Sequence, residues 1–74
     1  MTTRPMDGPE DLNDTDEQIL DLLRRGRETT GSLAAQIDKH PNYIGDRLKW
    51  LRSYDLVKYH HQETALHQLV EDPR

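Results

Sequence analysis

Apolar residues recur at helical spacing three times along this chain and then change period. Ile19, Leu20 and Leu23 form the first stripe, with Leu22 at its edge; Leu33, Ala34 and Ile37 form the second; Ile44, Leu48 and Leu51 form the third. Side chains three and four residues apart share one helix face, so each set predicts an amphipathic helix. The first helix is expected to start near Asn13 or Asp14. Either can cap it, because Asp16 and Glu17 stand three residues further on in the reciprocal capping arrangement. Acids in that first turn and Arg24 and Arg25 in the last suit the helix dipole, and Gly26 is a natural stop. The second helix starts at Thr29 or Thr30 and is short, since Asp38, Lys39 and His40 precede Pro41. Proline fits the first position of a third helix, which runs to about Ser53 with His40 as an unusual cap.

After Tyr54 and Asp55 the pattern shortens. Leu56–His61 and Ala65–Val70 read as two strands around Gln62, Glu63 and Thr64. That turn has neither Gly nor Asn, and Leu66, Leu69 and Val70 also fit a helix through Glu63–Leu69, so a fourth helix is the rival. Two short helices with a tight break over residues 29–51 are the pattern of a helix-turn-helix, and a hairpin after them makes it winged. The expected fold is therefore mainly α with a small antiparallel β wing. It has three helices plus a hairpin, and a short strand near Glu28 and Thr29. The expected core is Leu12, Ile19, Leu20, Leu23, Leu33, Ala34, Ile37, Ile44, Leu48, Leu51, Leu56, Val57, Leu66 and Leu69.

Seventy-four residues make one domain at most, with little surplus core, so dimerisation is a sensible source of further burial. Residues 1–12, with Pro5, Gly8, Pro9 and several charges, read as a flexible acidic tail; 13–72 form the domain and 73–74 its end. Cysteine is absent, which removes disulfides and thiolate metal sites. No apolar run approaches the ~20 residues a bilayer span needs, and no hydrophobic signal segment opens the chain, so a cytoplasmic protein is expected.

The formal charge of −4 is opposite to that usual for a nucleic-acid binder, but it is unevenly spread. Residues 1–23 carry net −6, residues 24–60 net +4 and residues 61–74 net −2. The helix-turn-helix is the basic part of an acidic protein. Only three of the ten basic residues are Lys, and with the acidic excess this fits work in high salt. The Debye length there is about 3 Å at 1 M, so close hydrogen bonds and groove fit must outweigh charge steering.

On the third helix, Ile44, Leu48 and Leu51 define the buried face, and Asn42, Asp46 and Lys49 the opposite one. Such a face offers acceptors and donors to base edges: Asn42 to adenine, Asp46 to cytosine, Lys49 to guanine or phosphate. Tyr43 near the helix start can reach phosphate or a thymine methyl, which completes the base-facing group. Arg47, Arg52 and Lys58 are candidates for the DNA backbone. Each has a plainer role open to it: Asn42 completing the helix start, Asp46 pairing with Lys49, the cations simply solvated. Gly45 has no capping role inside a helix and is either tolerated or needed for a close approach. Trp50 either packs on the first helix or wing or forms a protomer interface. His60 and His61 face opposite sides of a strand and are possible wing contacts, with His67 across the hairpin near Tyr59 or Lys58. The four His do not make a zinc set, and no Ser–His–acid arrangement, phosphate-binding Gly loop or metalloprotease helix is present. Neither an enzyme nor a cofactor is expected.

The run Thr15-Asp16, Ile19-Leu20, Leu22-Leu23, then Leu33-Ala34 and Ile37, Asn42–Lys49, Leu51, Asp55-Leu56-Val57 and Leu66–Asp72 resembles one regulator group. These are the small winged helix-turn-helix regulators of haloarchaea and their viruses, halophilic phage repressor-like. The resemblance spans residues 14–72. It departs at His40-Pro41, where such proteins more often have a Ser cap, and at a wing turn lacking their Gly and Arg. It implies a sequence-specific double-stranded DNA-binding transcriptional regulator, acting as a repressor and a homodimer. The alternative is a winged-helix protein–protein interaction module without DNA binding.

Overall fold

The computed structural model describes residues 12–74, so the tail over residues 1–11 lies outside the described part. The order is α1 (Asp14–Arg25), β1 (Glu28–Thr29), α2 (Thr30–Ile37), α3 (Pro41–Ser53), β2 (Val57–His61) and β3 (Leu66–Leu69). The strands form one antiparallel sheet in the order β1-β3-β2. This is a winged helix-turn-helix: three helices with a small β wing.

Local chemistry explains each boundary. Asn13 caps α1 reciprocally: its side-chain oxygen accepts from the Asp16 amide at 2.8 Å, and the Asp16 carboxylate accepts from the Asn13 amide at 3.1 Å. Gly26 ends α1 with a fully extended backbone (φ 163°), so the left-handed freedom of glycine is not used there. Thr29 caps α2 through a second reciprocal pair with Ser32, both bonds at 3.0 Å. α2 stops because Asp38 turns left-handed (φ 64°) and donates its amide to the Ala34 carbonyl. A short polar side chain tolerates that conformation. His40 does cap α3, its Nδ1 accepting from the Asn42 amide at 3.0 Å, with Pro41 in the first turn.

The three apolar stripes meet in one core of Leu12, Ile19, Leu20, Leu23, Leu33, Ala34, Ile37, Ile44, Leu48, Leu51, Leu56 and Val57. Leu66 and Leu69, expected there too, are only half-buried. The inward place on β3 belongs instead to His67, which is 1% exposed. A strand shows alternate residues to opposite faces, so an inward His67 turns Leu66 outward. Leu69, two residues on, packs at the edge of the core.

Residues 57–69 form a hairpin, and the rival fourth helix is absent. Val57, Lys58 and Tyr59 pair with Leu69, Gln68 and His67, and a bulge at His60 brings His61 opposite Leu66. The turn closes with the Ala65 amide on the Gln62 carbonyl at 3.0 Å and Ala65 left-handed (φ 55°). β1 joins the other edge of β3, with Glu28 opposite His67 and Thr29 opposite Leu66. After β3 the chain returns across α1. Arg74 bonds Asp21 at 2.7 Å and Asp72 at 2.8 Å, and the Asp72 carboxyl is held down to about 2 by those Arg74 bonds.

Candidate nucleic-acid interface

α3 buries Ile44, Leu48 and Leu51 and leaves Asn42, Asp46 and Lys49 exposed. This separation follows from the helical period alone, and it presents an amide, a carboxylate and an ammonium on one open face. Gly45 sits nearer α2: a methyl group there would meet Thr30 at 3.9 Å, an ordinary contact. The packing therefore leaves room for a side chain, and the structure favours tolerance over a forced close approach by α2. Gly45→Ala is expected to stabilise the domain by about 1 kcal/mol, read as a higher urea midpoint. Unchanged or lower stability would mean that Thr30 cannot accommodate the methyl.

Arg47 points away from the exposed face. Its Nε and Nη2 donate to the two carboxylate oxygens of Asp16 at 2.8 and 2.6 Å. The Asp16 side chain is fully buried, while Arg47 is 22% exposed. The bond to Asp16 raises the Arg47 pKa further above its ordinary value. The guanidinium also lies over the Trp50 ring at 4.6 Å, and Trp50 meets Tyr54 edge-on at 4.7 Å. Trp50 is thus half-buried against the core edge. Tyr43 is 39% exposed, and its hydroxyl accepts from Asn13 Nδ2 at 3.1 Å. Two residues of α3, Tyr43 and Arg47, are accordingly tied to the capping box of α1.

Arg52 lies between α3 and the wing. Its Nη1 is 2.7 Å from His67 Nε2, and its guanidinium carbon stands 4.3 Å from the centre of the Tyr59 ring. Lys58 is exposed on β2. His60 and His61 are also exposed: Nδ1 of His60 is 2.9 Å from Gln68 Oε1, and Nδ1 of His61 is 2.9 Å from Thr64 Oγ1 at the turn. Asn42, Asp46 and Lys49 therefore share a face, Tyr43 flanks it, Lys58, His60 and His61 lie on the wing, and Arg47 and Arg52 are held by internal partners.

Sequence reasoning missed two of these partners. Asp16 has the spacing of a cap and carries no sign of a second role 31 residues away. His67 was placed near Tyr59, where it is, but its burial and its bond to Arg52 depend on the packing of the wing against α3. Among the described residues, no group of three or more His, Cys, Asp or Glu is arranged to hold a metal ion. No described helix is long and apolar enough to cross a membrane.

No protein-family model matches the chain, and no curated protein does. Among solved structures, a variant of Lactococcus lactis ZitR in complex with DNA is similar, with a TM-score of 0.72 and 25% identity. The alignment covers 96% of this chain and 53% of ZitR, so the chain spans about half the length of that protein. The chain is a winged helix-turn-helix domain that shares its fold with a protein solved on DNA.

Proposed function

We propose that this protein is a sequence-specific double-stranded DNA-binding transcriptional regulator that inserts α3 into a major groove. The observation that carries the proposal is the exposed Asn42, Asp46 and Lys49 face of α3, in a domain whose fold matches one solved in complex with DNA. Asn42, Tyr43, Asp46 and Lys49 face bases; Arg52 and Lys58 contact the backbone, with His60 and His61 near the wing. Arg47, expected on the backbone as well, serves that contact indirectly by fixing α3 on α1. The small core and the single short reading helix favour a homodimer with half-sites about 34 Å apart, and repression rests on the resemblance to halophilic phage repressors alone. The acidic composition and the preference for Arg over Lys support an origin in a halophilic archaeon or its virus.

One observation favours the alternative of a protein-interaction module. With Arg47 neutralised by Asp16, the exposed face of α3 carries one acid, Asp46, beside Lys49. Titration of genomic duplex fragments at several salt concentrations separates the two. Saturable binding to particular fragments, weakening with salt, is the expected result. Absence of binding to any fragment, with selective and saturable binding of a protein partner, would establish the alternative.

A further inference from the structure

We propose that His67 is a positioning residue for DNA binding, holding the Arg52 guanidinium of α3 from the wing so that its free N–H groups face the DNA backbone. This rests on the regulatory reading above. Nδ1 of His67 is 2.8 Å from the Ala65 carbonyl, which can only accept, so the ring proton sits on Nδ1. Nε2 then carries a lone pair and accepts from Arg52 Nη1 at 2.7 Å. Tyr59 packs its ring on His67 at 4.6 Å and offers the same ring to Arg52. The guanidinium is thus held at two points, both on the wing. One of its five N–H groups is committed to His67, and the half-exposed side chain leaves others for phosphate. If the wing moves away, Arg52 regains its rotamer freedom and must be ordered again on binding.

This arrangement requires a neutral imidazole. The charged groups around it are Arg52 from α3 and Glu28 opposite it on β1, with the Tyr59 ring of β2 packed beside it. The Glu28 carboxylate is engaged by Ser32 at 2.7 Å and Gln36 at 3.1 Å, and Arg24 of α1 by Asp72. A proton on Nε2 would remove the acceptor and set a second cation against Arg52. Burial, opposed by the bond to Ala65 and reinforced by Arg52, holds the His67 pKa below 6.5. A lowered histidine pKa means that the unfolded chain binds the proton more readily. The contribution of His67 is therefore complete above pH 6.5 and is lost as pH falls through its lower folded value.

The test measures affinity for one selected duplex with the wild-type protein, His67→Leu, His67→Gln, Arg52→Ala and the His67→Leu/Arg52→Ala double variant, at about pH 7.5 and about pH 5.5. His67→Leu is expected to weaken binding roughly tenfold at the higher pH, the scale of one charge-assisted hydrogen bond. Its salt slope should stay near that of the wild type, because Arg52 still reaches phosphate once it is reordered. Arg52→Ala should weaken binding at least as much and also lower the salt slope by about 0.9, the loss of one phosphate contact, and the double variant should lose no more than Arg52→Ala alone. His67→Gln, which can accept from Arg52 and donate to Ala65, should retain most affinity and lack the acid-induced loss carried by His67. Circular dichroism confirms that each variant is folded. Full additivity in the double variant would overturn the proposal, as would wild-type affinity in folded His67→Leu. If His67→Leu does not fold, an unaltered pH profile in folded His67→Gln overturns it instead. A wild-type protein that binds no duplex would remove the regulatory reading and this proposal together, an outcome distinct from DNA binding that ignores His67.

Discussion

Arg47→Ala is expected to destabilise the domain by about 3–5 kcal/mol, whereas Asp16→Asn should cost only about 1–2 kcal/mol. The asymmetry comes from burial. Asp16 is fully buried and Arg47 is 22% exposed. Removing the guanidinium strands a carboxylate that the intact fold buries completely and whose remaining bond is to the Asn13 amide. Neutralising Asp16 leaves a cation that solvent can partly reclaim and that keeps its place over Trp50. Small domains have about 5–15 kcal/mol in total, so Arg47→Ala approaches unfolding. At roughly 4–8 °C per kcal/mol, its melting temperature should fall on the order of 20 °C. Thermal unfolding followed by circular dichroism measures both variants. Equal losses would show that the pair is solvated and that α3 is not fixed to α1 through a buried charge.

Lys49→Ala is expected to carry the largest change in DNA affinity, and Asp46→Ala the largest change in selectivity. Both side chains lie on the exposed face of α3. A lysine that donates to guanine contributes about 1–3 kcal/mol of discrimination, so its loss should weaken binding roughly tenfold or more and relax preference at one base pair. A carboxylate repels phosphate at every sequence and is favourable only where it accepts from cytosine. Asp46→Ala should therefore strengthen binding to unrelated duplex modestly while reducing the margin of the preferred site. Titrations on a set of single-base operator variants read both effects. An unchanged ranking of those variants after Asp46→Ala would rule out base reading by Asp46.

The helices and their faces were legible in the sequence because helical period, caps and Pro41 all act locally. Asn13 and Thr29 mark boundaries by rules spanning a few residues, and β1 lies at Glu28–Thr29, as those positions suggest. The wing was harder to read. Its turn places Ala65, not Gly, in the left-handed region, so the residue that usually announces such a hairpin is missing. The core assignment failed at Leu66, where hydrophobicity argued for burial and strand alternation gave the place to His67. On the candidate interface, Asn42, Asp46 and Lys49 share an exposed face, as the period requires. Arg47 and Arg52 were read only as surface cations, because their partners, Asp16 and His67, stand 31 and 15 residues away. A pairing of that range leaves no trace in local spacing.

Amide chemical-shift mapping shows whether α3 and the wing form a DNA-binding surface. A duplex selected from genomic fragments would be titrated into isotope-labelled protein. Saturable shifts are expected, concentrated on Asn42, Tyr43, Asp46 and Lys49 and extending to Arg52, Lys58 and the turn around His61. Shifts confined to Arg24, Arg25 and Arg27, which line a cleft with Gln68 and Leu69, would contradict it, because α3 would then take no part in binding.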